Sequence, residues 1–222
     1  EAVMGNMISF SRPGGGSSTG YLATAENPKG SMVVLQEWWG LNDQIKGVAD
    51  RVAAAGYTAL SPDLYAGRVT QDPDEANHMM TGLDWAGAAN EDVRGALQFL
   101  KQDGGKAGVM GYCMGGALTV IAGVHVPECD VAVCYYGIPP LEVADPSAMK
   151  VPFQGHFATQ DDWCTPEAVA ALEVALKPSG VVQEVYSYEG EHAFFNEVSP
   201  AYNADAAALS WDRTLAFLAE HL

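Results

Sequence analysis

Positive charge is the scarcest property of this chain. Its 222 residues carry 11 Lys and Arg against 28 Asp and Glu, a formal net charge of -17 at pH 7. So acidic a surface repels nucleic-acid phosphates and anionic lipid headgroups, so neither nucleic acid nor membrane is expected as a partner. Long apolar runs are missing too. None approaches the roughly 20 residues of a membrane-spanning helix, and no charged-then-apolar leader opens the chain. Cysteines are few (Cys113, Cys129, Cys134 and Cys164) and form no C-x-x-C pair, so neither a disulfide framework nor a zinc site is expected. No His/Asp/Glu spacing points to another metal, and no cofactor is expected. Free thiols suit a reducing compartment, which makes a cytoplasmic protein the expectation.

What is present reads as an ordinary globular chain, 48% apolar and 18% charged, of a size that one domain accommodates. The Gly-rich stretch Pro13 to Ser18 predicts a hairpin turn between short strands at Met7–Ser11 and Thr19–Ala23. After it, short apolar runs alternate with amphipathic helical patterns: Ser31–Gln36 then Asp43–Ala55, Tyr57–Ser61 then Asp72–Met80 and Glu91–Gln102. Lys106–Tyr112 is followed by Gly115–Val124, then Asp130–Tyr136, Val151–Ala158 before Pro166–Leu176, and Gln183–Tyr188 before Tyr202–Leu222. Strands that are apolar on both faces and separated by helices predict an α/β fold, a mostly parallel sheet with helices on both faces. In such sheets ligands bind beyond the carboxyl ends of the strands, so the chemistry is expected there.

One such strand end carries Gly111-Tyr112-Cys113-Met114-Gly115-Gly116. It has the form of a G-x-S-x-G nucleophile elbow with cysteine at its centre. The nucleophile of an elbow sits on a strained strand-to-helix turn, and glycine two residues to either side removes side chains that would collide. The helix opening at Met114 points its N–H groups and positive dipole end at the turn, which favours negative charge on the sulfur and on an oxyanion. In an α/β-hydrolase the partners follow as nucleophile, acid, histidine. After Val151–Ala158 come Asp161 and Asp162, ahead of a helix capped by Thr165 with Pro166 at its first position. After Gln183–Tyr188 comes His192 among aromatics, placed to take the thiol proton and return it to the leaving group. These residues leave the two aspartates open.

With these pieces in place the chain resembles the dienelactone hydrolase family over essentially its whole length. The resemblance is carried by Gln36-Glu37-Trp38-Trp39-Gly40, Ser61-Pro62-Asp63-Leu64-Tyr65, the Cys113 elbow, Tyr135-Tyr136-Gly137, the Asp162 loop ending in Pro166, and Glu191-His192-Ala193-Phe194. It implies an α/β-hydrolase domain spanning residues 1–222 that hydrolyses small esters or lactones through a thioester. It also implies Asp162 as the acid, four residues before the proline, an oxyanion hole from the backbone N–H groups of Met114 and Trp38, and Glu37 as acceptor of the thiol proton.

The departures concern substrate. Two family arginines that hold a substrate carboxylate align with His78 and Asn196, and the serine after the histidine is Ala193; Arg68 is a candidate substitute. Further pocket candidates are Trp39, Met79, Met80, Trp85 and Trp163, with Tyr135 and Phe194 from the matching motifs. A largely apolar pocket without an anion clamp favours neutral aryl or alkyl esters and lactones over dienelactones. Dienelactone hydrolysis itself, side activity on neutral phosphotriesters, and a non-catalytic redox-sensing or binding protein on the same scaffold remain alternatives.

Overall fold

The computed structural model describes residues 5–222. Eight strands form one sheet: β1 (Asn6–Ser11), β2 (Ser17–Ala23), β3 (Gly30–Leu35), β4 (Tyr57–Pro62), β5 (Ala107–Tyr112), β6 (Ala132–Tyr135), β7 (Phe153–Ala158) and β8 (Gln183–Tyr188). Their spatial order is β1-β2-β4-β3-β5-β6-β7-β8. The hairpin β1–β2 is antiparallel and joins β4 antiparallel. From β4 onward every pairing is parallel. This is the α/β-hydrolase architecture.

Strand alternation sorts the apolar side chains into two cores. Val33, Leu35 and Val109 face one side; Met32, Val34 and Met110 face the other. The second core is closed by α1 (Asp43–Ala54), through Ile45, Val48 and Val52, and by the C-terminal α7 (Ala204–His221), through Phe217 and Leu218. The first core is closed by α4 (Arg94–Leu100), α5 (Met114–His125) and α6 (Pro166–Leu176). Each fully buried aliphatic or aromatic side chain in these layers stabilises by about 1.5–3 kcal/mol relative to exposure. Asn42 Oδ1 accepts from the Ile45 N–H at 3.2 Å to start α1, and Thr165 caps α6 as expected, its Oγ1 accepting from the Ala168 N–H at 3.2 Å.

One helix differs from its sequence pattern. The expected Glu91–Gln102 helix begins earlier, with a single turn α3 (Trp85–Gly87) after α2 (Pro73–Thr81), and runs through a π-helical segment, Ala88–Val93, into α4. Asp84 sets the start by accepting from the Gly87 N–H at 3.0 Å. The widened turn carries Glu91 and Asp92, which accept from the Gly14 N–H and the Ser18 hydroxyl of the hairpin. Among the described residues no helix is long and apolar enough to cross a membrane.

The chain winds outward from β3 to β4 and then returns to the other side of β3 with β5. The winding direction therefore reverses between β3 and β5, and a crevice opens beyond their carboxyl ends. The β3 end leads into Gln36–Gly40 and the β5 end into Cys113.

Candidate active site

Cys113 follows β5 directly and opens α5 with φ 61° and ψ -119°, a backbone region that non-glycine residues avoid at a cost of about 1–3 kcal/mol. The surroundings enforce it. The Cys113 N–H donates to the Tyr135 carbonyl at 3.0 Å, its own carbonyl accepts from the Ala117 N–H at 3.1 Å, and the Gly115 N–H donates to the Gln36 carbonyl at 3.2 Å. A Cβ on Gly111 would run into the Gly115 carbonyl, and one on Gly115 would lie 2.6 Å from the carbonyl oxygens of Leu35 and Gln36. The glycines of the motif are thus the space in which the β3 and β5 turns meet. That contact also brings the turn carrying Trp38 beside the first turn of α5, which begins at Met114.

The histidine partner is Asp161, not Asp162. Asp161 Oδ2 lies 2.7 Å from His192 Nδ1. Its Oδ1 accepts from the N–H groups of Trp163 at 2.7 Å and Cys164 at 3.1 Å, and only 3% of the residue is exposed. Those two backbone donors turn Asp161 inward across the loop, while Asp162 faces solvent. Counting back from Pro166 therefore placed the acid one residue too far along the chain. Burial opposes the Asp161 charge, but the bonds from His192 and the two N–H groups more than offset it and hold the carboxyl below its usual range.

His192 sits between the rings of Tyr136, 4.9 Å away, and Trp163, 5.5 Å away. Burial disfavours its charge, yet the bond to Asp161 and the neighbouring Cys113 and Asp161 charges push its pKa up to about 10. Its other ring nitrogen, Nε2, is buried without a partner in formed hydrogen-bond geometry, although Cys113 is close enough to raise the imidazole's proton affinity. Glu37, 4% exposed, is held at both oxygens: the Tyr136 hydroxyl donates to Oε2 at 2.8 Å and Asn196 Nδ2 donates to Oε1 at 2.9 Å. Burial raises its pKa, and those two donors only partly counter the shift.

Cys113 borders two cavities. The larger, about 420 Å³, runs along α5 and is lined by Met80, Trp85, Ile121, Pro140 and Trp163, with Met114 at the elbow. The smaller, about 150 Å³, is lined by Glu37, Trp38, Trp39, His192 and Ser199. Neither is lined by Lys or Arg.

The chain is similar to known proteins over nearly its whole length. The model of the dienelactone hydrolase family matches residues 19–222. The chain belongs to that family. Over 99% of its length and the whole of the relative it is 32% identical to the Usf protein of Aquifex pyrophilus. Over 99% of this chain and all of the other it is 29% identical to a protein of Aquifex aeolicus provisionally named carboxymethylenebutenolidase. Among solved structures, a dienelactone hydrolase-like promiscuous phosphotriesterase from metagenomic libraries superimposes with a TM-score of 0.85 at 21% identity, covering 100% of this chain and 99% of that one.

Within this dienelactone hydrolase-family fold, the pocket candidates separate. Trp85 lines the large cavity, Trp39 the small one and Trp163 both, and of the two methionines Met80 lines the large cavity while Met79 does not. Met79 and the exposed His78 border a separate groove with Arg68, whose guanidinium pairs with Glu75 at 3.3 Å. On a helix, adjacent residues point about 100° apart, so the two methionines reach different surfaces. Tyr135 and Phe194 do not reach either cavity. Strand alternation turns Tyr135 into the α7-side core, where its hydroxyl meets Thr214 Oγ1 at 2.8 Å, and Phe194 is fully buried against Tyr135, Tyr136 and Tyr188. Asn196 fixes Glu37 and borders neither cavity. Sequence reading missed Tyr136, which walls His192 and bonds Glu37; its place just past the β6 carboxyl end was the available signal.

Proposed function

We propose that this family member is a cysteine-dependent hydrolase of small, neutral esters and lactones, with Cys113 as nucleophile, His192 as base and acid, and Asp161 as the group that orients and charges the imidazole. The observation that carries this reading is the strained elbow thiol beside a histidine whose far nitrogen is held by a buried carboxylate. Sulfur attacks the carbonyl carbon, and the resulting oxyanion is received by the backbone N–H groups of Met114 and Trp38. Collapse breaks the C–O bond, and His192 Nε2 delivers a proton to the departing alkoxide, leaving a thioester. Water, relieved of a proton by the now neutral His192, attacks the thioester; the carboxylic acid leaves and the thiolate–imidazolium pair returns. Glu37 holds a buried position beside this pair, and acceptance of the thiol proton by it requires the bond from Tyr136 or Asn196 to open.

The lack of Lys or Arg in both Cys113 cavities supports neutral substrates, because an unpaired buried carboxylate costs several kcal/mol. The test is intact-protein mass measured during turnover of an aryl ester. An acyl adduct on Cys113 that is absent from Cys113→Ala is expected, and Asp161→Asn should form it far more slowly than the wild type. Turnover by folded Cys113→Ala would remove the nucleophile assignment. Iodoacetamide offers a second check. Burial pushes the Cys129 and Cys134 thiols up to about 12 and raises Cys164 as well, so alkylation should fall first on Cys113 and abolish activity.

A further inference from the structure

The two cavities beside Cys113 differ in size, chemistry and access to the proton donor, and this assigns the two halves of an ester. Resting on the hydrolase reading above, we infer that the acyl group occupies the large cavity along α5 and that the alcohol, a small neutral hydroxylated one, leaves through the small cavity toward Trp39 and Ser199. The substrate class is therefore the monoester of an apolar, medium-length acid with a compact polyol.

The orientation follows from the acid. A general acid must come within hydrogen-bond reach of the leaving oxygen. His192 lines the small cavity and not the large one, whereas Cys113 lines both. An ester attacked at Cys113 with its leaving oxygen toward His192 must project its acyl substituent to the other side. That side is apolar: Met80, Ile121, Ile138 and Pro140 form its walls, and Val143, 41% exposed, stands at its mouth.

The alcohol side is of opposite character. The small cavity shares Trp39 and Ser199 with an adjoining groove of about 420 Å³. Asn42, Thr70, Gln71 and Asn196 also border that groove, so its polar lining consists of amides and hydroxyls without a formal charge. Asn42 uses its Oδ1 to cap α1, which leaves its amide N–H groups, with the exposed Gln71 amide and the half-buried Trp39 ring, as a neutral surface for hydroxyl groups. A long apolar alcohol would strand those groups; an anionic one would find no cation there, and a cationic one would meet only Glu37, whose two oxygens already accept from Tyr136 and Asn196.

Two ratios of kcat/KM test this: p-nitrophenyl octanoate over p-nitrophenyl acetate for the acyl side, and glyceryl monooctanoate over methyl octanoate for the alcohol side. The first should be at least about tenfold in the wild type, from apolar burial, and the second above unity. Val143→Trp, with Val143→Phe should the larger residue not fold, should cut the first ratio at least about fivefold. Ser199→Trp should cut the second by a similar factor. Reversed responses of the two variants, a wild type that prefers acetate, or one that prefers the methyl ester would overturn the assignment. Hydrolysis of p-nitrophenyl acetate that survives alkylation of Cys113 would instead remove the underlying nucleophile. Alkylation-sensitive hydrolysis with both ratios unmoved would sink only the present inference.

Discussion

Replacing Asp161 by Asn keeps shape and burial while removing one charge and one acceptor. Oδ1 can go on accepting from the Trp163 and Cys164 N–H groups. The other oxygen, now an NH2, faces His192 Nδ1 across 2.7 Å and can only donate. The imidazole must then present Nδ1 as an acceptor, which puts its proton on Nε2 and leaves no base for the thiol or for water. The charge lost can also be scaled. Contact at 2.7 Å places the charge centres about 4 Å apart, and at an effective dielectric of about 20 that attraction is about 4 kcal/mol. That attraction is what holds His192 as the imidazolium that protonates the departing alkoxide, so its loss corresponds to up to about a thousandfold in kcat/KM. Asp162→Asn touches an exposed side chain without a hydrogen bond to His192 and should stay within about twofold. The assay is hydrolysis of p-nitrophenyl acetate by both variants, with thermal melting to establish that each is folded. If Asp161→Asn keeps more than about a tenth of wild-type activity, or if Asp162→Asn loses more, the assignment of the acid is wrong.

The same pair predicts a titration: in Asp161→Asn the His192 pKa should drop from about 10 toward the ordinary value near 6.5, followed by nitrogen NMR of the imidazole, and an unchanged midpoint would show that Asp161 is not its cause. A raised histidine pKa stabilises the fold fully below its unfolded value near 6.5 and loses that contribution as pH climbs through about 10, so wild type should lose more melting temperature than Asp161→Asn between pH 7 and pH 10.5. Gly115→Ala should cost about 1–3 kcal/mol, about 2–12 °C of melting temperature, because its Cβ would press on the Leu35 and Gln36 carbonyls; a melting temperature within about 1 °C of wild type would mean the β3 and β5 turns are not locked together. Neutral aryl esters should outrun carboxylate-bearing analogues by at least about tenfold in kcat/KM, roughly 1.4 kcal/mol, and His78→Arg should leave that gap open since His78 borders another groove; closure of the gap by His78→Arg would place the substrate in that groove.

The architecture was legible in the linear pattern because it rests on local physics. Apolar runs on both faces, the helix cap at Thr165, and glycines at 111 and 115 each act over a few residues, and the observed strands lie within two residues of the expected ones. The elbow was legible for the same reason: a strained turn needs its glycines at set distances along the chain. Decisions between adjacent residues were not. Asp161 over Asp162, Met80 over Met79 and Tyr136 over Tyr135 depend on which way one side chain turns, and neighbours in sequence face different surroundings on strand, helix and loop alike. Two backbone N–H groups drew Asp161 inward, and the face of β6 sent Tyr135 into the α7 core. Asn196 stands 159 residues from Glu37, so no local pattern could have linked the amide to the carboxylate it holds. The residues with chemistry were determined by the sequence; their partners were decided where the carboxyl ends of the strands converge, by packing between segments far apart in the chain.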